Sequence, residues 1–111
     1  MLPKKVYQTL VKGYVSEYIV FGALLKLQKG EYIDTFKKVE RKSADDYRGI
    51  DYWVQYKGIS VPLQVKSSEY YAQLHRERYP DIPCVVAGKG LEQSIKQLVR
   101  EYVWQKQNES D

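Results

Sequence analysis

Hydrophobic and polar positions alternate with period two through residues 49–68, GIDYWVQYKGISVPLQVKSS, on both sides of Lys57-Gly58. Such alternation predicts two strands, each with one buried face, and Lys57-Gly58 predicts a two-residue hairpin loop between them. Counting outward from Tyr56 and Ile59 sets Val54 against Val61, Tyr52 against Leu63 and Ile50 against Val65, so the apolar faces agree. The same count sets Asp51 opposite Gln64 in a non-hydrogen-bonded pair, with Cα atoms about 4.5 Å apart. Lys66 projects from the Gln64 face one pleat further on. A carboxylate, an amide and an ammonium are thereby expected on one patch of sheet.

Upstream, apolar residues at spacings near three and four (Leu10, Tyr14, Phe21, Leu24) predict a long amphipathic helix over 4–29, ended by Gly30 as its cap. Glu17 falls on the same stripe, within an arc of roughly 80°. A carboxylate on a buried seam needs a cation, hydrogen bonds or a metal beside it. The alternative is a glutamate at the stripe's edge, bonded to a tyrosine or a lysine. Gly13 and Gly22 each weaken the helix by about 1 kcal/mol relative to alanine, which suggests close approach by a neighbour.

Residues 31–40 predict a first strand in an edge or partly solvated position. RKSADDYRG at 41–49 reads as a polar connector that brings Arg48 next to the hairpin. Beyond the hairpin, Ser68 is the expected N-cap of a second helix that stops before Pro80. Residues 82–87 read as a short buried strand and 88–90 as a turn. Residues 91–105 predict a last amphipathic helix with Leu91, Ile95, Leu98 and Tyr102 inward. The expected order is αβββαβα.

At 111 residues the chain is expected to be a single domain over 1–107 with a frayed tail at 108–111. Hydrophobic content of 43% with 29% charged residues argues for a globular chain and against disorder. The net charge of +4 tilts it only mildly toward polyanions. Eleven tyrosines are expected mostly to pack rather than to stack on bases. Cys84, the one cysteine, excludes an internal disulfide and a cysteine zinc site, and its IPCVVAG surroundings predict a small buried strand residue. His75 has no partner of ligand type at helical spacing and reads as a surface or packed histidine. The GKG at 88–90 is too short and wrongly placed for a P-loop. With no signal-peptide pattern and no apolar run near the roughly 20 residues that span a bilayer, the expected location is the cytoplasm, with no membrane partner.

The element order, with Glu17, Asp51, Gln64 and Lys66 in GYVSEYIVFGALLKLQKG, GID and LQVKSS, resembles the PD-(D/E)XK nuclease superfamily. In layout it is similar to archaeal Holliday-junction resolvases, and its Q-x-K motif to Mrr-type endonucleases. The resemblance implies an α/β restriction-endonuclease-like fold: an αβββαβ core whose mixed four-stranded sheet is flanked by helices. It implies a metal-dependent endodeoxyribonuclease, of resolvase, restriction or repair type, that uses Mg²⁺ with Mn²⁺ as substitute and no organic cofactor. Asp51, Gln64, the Val65 carbonyl and Glu17 would serve the metal, and Lys66 would polarise the attacking water. Lys12, Arg48, Ser67 and Ser68 are candidate DNA contacts, and cutting both strands implies a homodimer. Gln64 departs from the family's acidic residue and removes a negative charge from the metal site. The alternatives are a nuclease-fold DNA-binding or assembly subunit without hydrolysis, and a protein-interaction domain with no nucleic acid. The plain reading of the strand residues is an Asp51–Lys66 salt bridge.

Overall fold

A computed structural model describes the backbone of residues 4–109 and the side chains of residues 17–109. The elements are α1 (Lys4–Lys29), β1 (Thr35–Lys38), α2 (Ala44–Tyr47), β2 (Tyr52–Tyr56), β3 (Ile59–Lys66), α3 (Glu69–Arg78), β4 (Cys84–Val86) and α4 (Leu91–Asn108). The strands form one four-stranded sheet in the order β1-β2-β3-β4, antiparallel except for the parallel β3–β4 pair. The chain is thus an α/β domain with a mixed open sheet flanked by helices. β3 is central because its run of buried residues, from Val61 to Val65, can be covered on both faces.

The hairpin register follows the alternation. Tyr56 pairs with Ile59, Val54 with Val61 and Tyr52 with Leu63. Lys57 and Gly58 both take positive φ, 51° and 76°, as a type I′ turn requires. On one face Tyr52, Val54, Val61, Leu63 and Val65 join Val20, Leu24 and Leu27 of α1 with Ile95, Val99 and Val103 of α4 in a single core. Each such fully buried side chain contributes about 1.5–3 kcal/mol through loss of apolar surface. Gln64, Lys66 and Cys84 alternate with these core residues and face α3, which contacts both β3 and β4.

Several boundaries differ from the periodicity. The first strand is confined to Thr35–Lys38, because the chain after α1 turns first. The left-handed residue there is Glu31 (φ 63°), while Gly30 still donates to Lys26 O at 3.0 Å. Gly30 matters in a different way: a Cβ on it would lie 2.9 Å from the exposed Tyr32 ring, which would have to shift to admit it. Open space surrounds Gly22, so no neighbour approaches it; Gly13 lies outside the described side chains. On α1 the buried stripe runs through Val20, Ala23, Leu24 and Leu27, and Phe21 is displaced to its margin, edge-on to Phe36. The α4 stripe is Leu91, Ile95, Val99 and Val103, with Leu98 and Tyr102 beside it, and the helix continues to Asn108.

The connector over 41–49 is not merely solvated: it holds α2. Ser43 caps this short helix by accepting Asp46 N, and Asp46 Oδ2 accepts Lys42 N at 2.8 Å. Asp45 fastens it to the sheet, its Oδ2 accepting Trp53 Nε1 at 3.0 Å and its carbonyl accepting Ile50 N. No helix among the described residues is long and apolar enough to cross a membrane.

Candidate functional site

The hairpin ladder stops one residue short of where alternation alone would carry it. Asp51 N donates to Leu63 O at 2.9 Å, although Leu63 already has Tyr52 as its partner. Two consecutive residues therefore face Leu63, the arrangement of a β-bulge, and Asp51 is not in the simple non-hydrogen-bonded pair with Gln64. Asp51 O accepts Val39 N, which keeps this end of β2 tied to the chain after β1. The Asp51 carboxylate takes over as ladder partner: its Oδ2 accepts Val65 N at 2.9 Å. The Val65 carbonyl points to the same side as its N–H, as in any extended residue, and so toward the gap that β2 leaves.

Gln64 lies beside this bond and is only 7% exposed. One end of its amide is 2.6 Å from Gly49 O and 3.2 Å from Asp51 Oδ2, and the other is 3.2 Å from Lys66 Nζ. Both neighbours at the first end are acceptors and Lys66 is a pure donor. The orientation that satisfies all three has Nε2 toward Gly49 and Asp51 and Oε1 toward Lys66. Asp51, Gln64 and Lys66 thus meet as the hairpin count anticipates, but through a relay in which the amide separates carboxylate from ammonium. The plain Asp51–Lys66 salt bridge is not what brings them together.

Glu17 approaches from α1, half-exposed at the edge of the stripe rather than on the buried seam. Its Oε2 pairs with Lys38 Nζ at 3.2 Å. Its charge still reaches the site. Burial pushes the Asp51 carboxyl up to about 6, against the pull of the Val65 N–H, with Glu17 adding to the rise, Lys66 opposing it and Asp46 adding further. Burial likewise raises the Tyr52 hydroxyl to about 12, reinforced by Glu17 and Asp51. Tyr52 is therefore a neutral hydroxyl within electrostatic reach of two carboxylates, a placement hidden in the sequence because Tyr52 also serves as a core residue.

Gly49 and His75 are the other contributions that motif reading missed. Gly49 takes φ 82°, and its Cα is closed in so that a Cβ would lie 3.1 Å from both His75 Cε1 and Tyr79 Cδ2. This packing holds the Gly49 carbonyl against Gln64. His75 is buried at 5% exposure, and its Nε2 is the one buried side-chain nitrogen or oxygen without a hydrogen-bond partner among the described residues. Burial lowers its affinity for a proton; the backbone bond at Ile82 opposes this, and the Lys66 and Arg76 charges add to it. A glycine two residues before the candidate aspartate was the available signal for this clamp.

Of the candidate DNA contacts, Lys12 lies outside the described side chains. Arg48 is exposed and pairs with Asp45 at 3.4 Å, a surface pair of the kind that holds an arginine weakly. Ser67 is half-buried, directly after Lys66. Ser68 caps α3, its Oγ accepting Tyr71 N at 3.4 Å. Tyr18, Tyr47, Tyr70 and Tyr71 are exposed, against the expectation that tyrosines mostly pack. An open groove of about 920 Å³ lies along β4 between α3 and α4, and includes none of Glu17, Asp51, Gln64 and Lys66. Cys84 is buried, as expected of a strand residue.

Among the described residues no group of three or more histidine, cysteine or acidic side chains is placed to hold a metal ion. With the Gln64 nitrogen facing Asp51, the oxygen donors here are the Asp51 carboxylate and the Val65 carbonyl, a sparse set that suits only a hard cation keeping most of its water, such as Mg²⁺ or Mn²⁺. No protein-family model matches the chain, and neither a curated protein nor a solved structure matches it at a significant level.

Proposed function

We propose that the protein is a metal-dependent endodeoxyribonuclease with a restriction-endonuclease-like core, acting at the bulge where β2 parts from β3. The observation that carries this reading is the convergence of Asp51, Gln64 and Lys66 through contacts of 3.2 Å or less, with the Glu17 charge reaching them from α1. Asp51 already serves the sheet by accepting Val65 N; what goes beyond that structural role is its raised carboxyl with an ammonium and a second carboxylate in electrostatic reach.

When bound, Mg²⁺ or Mn²⁺ supplies charge neutralisation at the scissile phosphate and eases ionisation of water. Asp51 would be the anionic ligand and the Val65 carbonyl a neutral one, with the Gln64 amide oxygen joining them only if the amide turned from the orientation it holds here. Glu17, which pairs with Lys38 here, would act on the cation through water. Lys66 orients the attacking water and meets the charge that develops on the phosphoryl oxygens. Arg48, Ser67 and the N-terminus of α3 receive flanking phosphates. A homodimer would place two such sites on the two strands of DNA.

One observation favours a second reading. In the satisfied orientation the Gln64 nitrogen, not its oxygen, faces Asp51. A site that stays in this state would belong to a DNA-binding or assembly subunit without hydrolysis. The discriminating experiment incubates the protein with supercoiled, linear and four-way-junction DNA in Mg²⁺, Mn²⁺ or EDTA. The nuclease reading expects cation-dependent cutting that falls roughly a hundredfold or more in Asp51→Ala and in Lys66→Ala. Salt-sensitive binding without cutting in any cation selects the second reading. Cutting that survives both substitutions sinks the assignment of the site.

A further inference from the structure

The described tyrosines divide by what covers their rings. Tyr52 is buried in the core, and Tyr32, Tyr56, Tyr79 and Tyr102 each carry a lysine or arginine over the ring, within 5.4 Å of its centroid. Among the described residues, Tyr18, Tyr47, Tyr70 and Tyr71 have neither the core nor a cation on their rings. Tyr18 stands on α1, which packs on the far face of the sheet. The other three belong to the face that bears Gln64 and Lys66. α3 covers that face, and α2 reaches it through Asp45, which holds Trp53; Trp53 pairs with Pro62 and so shares the side of Gln64 and Lys66. Tyr47 ends α2, two residues before Gly49. Tyr70 and Tyr71 lie in the first turn of α3, fixed by the bond from Tyr71 N to Ser68 Oγ. Tyr71 is one turn before His75, on the side of the helix that closes on Gly49. Rings exposed by 55% or more thus flank Gly49–Asp51 from α2 and from α3, with Leu74 exposed one turn beyond Tyr70. Tyr70 and Tyr71 meet edge-on at 76° instead of stacking on each other, which leaves flat ring faces outward.

Apolar and aromatic surface that no part of the chain covers marks a contact site. The charges around it do not make a duplex-binding face. Arg48 is engaged by Asp45, Lys38 by Glu17 and Lys66 by the Gln64 amide, and the Asp46 and Asp51 carboxylates lie beside them. Duplex DNA is held mainly through its phosphates, by lysines and arginines in excess. It also keeps both faces of each interior base in its own stack, out of reach of a tyrosine ring. An unpaired base offers a free face, and stacking on an aromatic ring holds it more strongly than a surface ion pair holds a charge. We propose that Tyr47, Tyr70 and Tyr71 are a stacking platform for unpaired bases, so that the nucleic acid taken at Asp51 and Lys66 is a single strand of DNA rather than a duplex. The inference rests on the DNA reading of the site given above and does not need a cation at Asp51.

The test measures fluorescence anisotropy of an end-labelled DNA single strand of about 16 nucleotides, and of the blunt duplex of the same length. The intact protein is used in EDTA, so that no metal-dependent cutting intervenes. Wild type is expected to bind the single strand roughly tenfold or more tighter than the duplex. Tyr47→Leu and the double variant Tyr70→Leu/Tyr71→Leu should each lose about five- to a hundredfold of that affinity. Tyr47→Phe and Tyr70→Phe/Tyr71→Phe keep the rings and should bind as wild type does. Duplex bound as tightly as the single strand, or leucine variants that bind like wild type, overturns the platform and spares the DNA reading. Phenylalanine variants that lose as much as the leucine ones overturn stacking as the source of the affinity. Binding of neither DNA at low salt overturns the DNA reading and this inference with it, and leaves the tyrosines as a protein-docking surface.

Discussion

The Asp51 carboxylate accepts the Val65 amide at 2.9 Å, so a side chain occupies the ladder position that the β2 backbone gives up. Asp51 is thereby fixed in place and partly dehydrated at once. These two effects oppose each other in its titration, and burial prevails, with the carboxyl raised to about 6.

A raised carboxyl makes a definite demand on stability. Between the ordinary value of 3.8 and about 6 the folded state holds a proton that the unfolded state has lost, so stability falls as pH rises through this window. Asp51→Asn keeps an acceptor for Val65 N and removes the charge. In EDTA the variant is expected to be more stable than wild type at pH 8, by on the order of 1–3 kcal/mol, with the advantage gone near pH 4. Urea denaturation at the two pH values measures it. Equal stability at both would show that the Asp51 charge is not strained.

Cation binding should carry the same titration. Below about 6, Mg²⁺ must displace a proton from Asp51. The apparent affinity is expected to drop roughly tenfold per pH unit below that point and to level off above it. Calorimetry between pH 5 and 8 follows this directly. Glu17→Gln, which removes one of the charges that raise Asp51, should shift the break to lower pH.

Gly49 and Gly58 both hold positive φ, yet replacing them should differ in effect. At Gly58 nothing lies within 4 Å of a new Cβ, whereas at Gly49 it meets His75 and Tyr79 at 3.1 Å. Gly49→Ala is expected to destabilise the fold by about 1–3 kcal/mol through combined strain and overpacking. Gly58→Asn should change stability by a few tenths, since asparagine tolerates the left-handed region. Thermal or chemical melts of the two variants compare them, and similar losses would contradict the clamp on Gly49.

His75 should act on the acid side with the opposite sign to Asp51. Its folded proton affinity is lowered, so the unfolded chain takes up the proton first as pH falls below about 6.5, and stability is lost. His75→Phe removes both the unpaired Nε2 and this uptake. The wild type is expected to lose up to about 1.4 kcal/mol per pH unit relative to the variant below that value. Parallel slopes for the two proteins would show that His75 takes up its proton as readily in the fold as in the unfolded chain.

Much of the fold can be read from short-range physics. Alternation about Lys57-Gly58 specifies the register from Tyr56↔Ile59 to Tyr52↔Leu63, because any slip by one residue would turn the apolar face outward. Ser68 specifies the start of α3, because its hydroxyl completes the first turn locally. Asp51, Gln64 and Lys66 could likewise be named as neighbours, since they lie at or next to the strand pairing itself.

What alternation could not foresee depends on groups far apart in the chain. The bulge at Asp51 arises where α2, bonded to Trp53 and Ile50, draws the chain out of the ladder. Helical spacing sets the angle of Glu17 around α1 but not what stands opposite; the packing of α1 on the sheet brings Lys38 there and leaves the carboxylate half-exposed. The closing of His75 and Tyr79 on Gly49 required α3 to fold back over β3. The nearness of Asp51, Gln64 and Lys66 was thus determined by the sequence pattern. The hydrogen-bonded order among them, with the Gln64 amide between Asp51 and Lys66, was decided only by tertiary packing, which removes water and leaves each polar atom to find its partner within the protein.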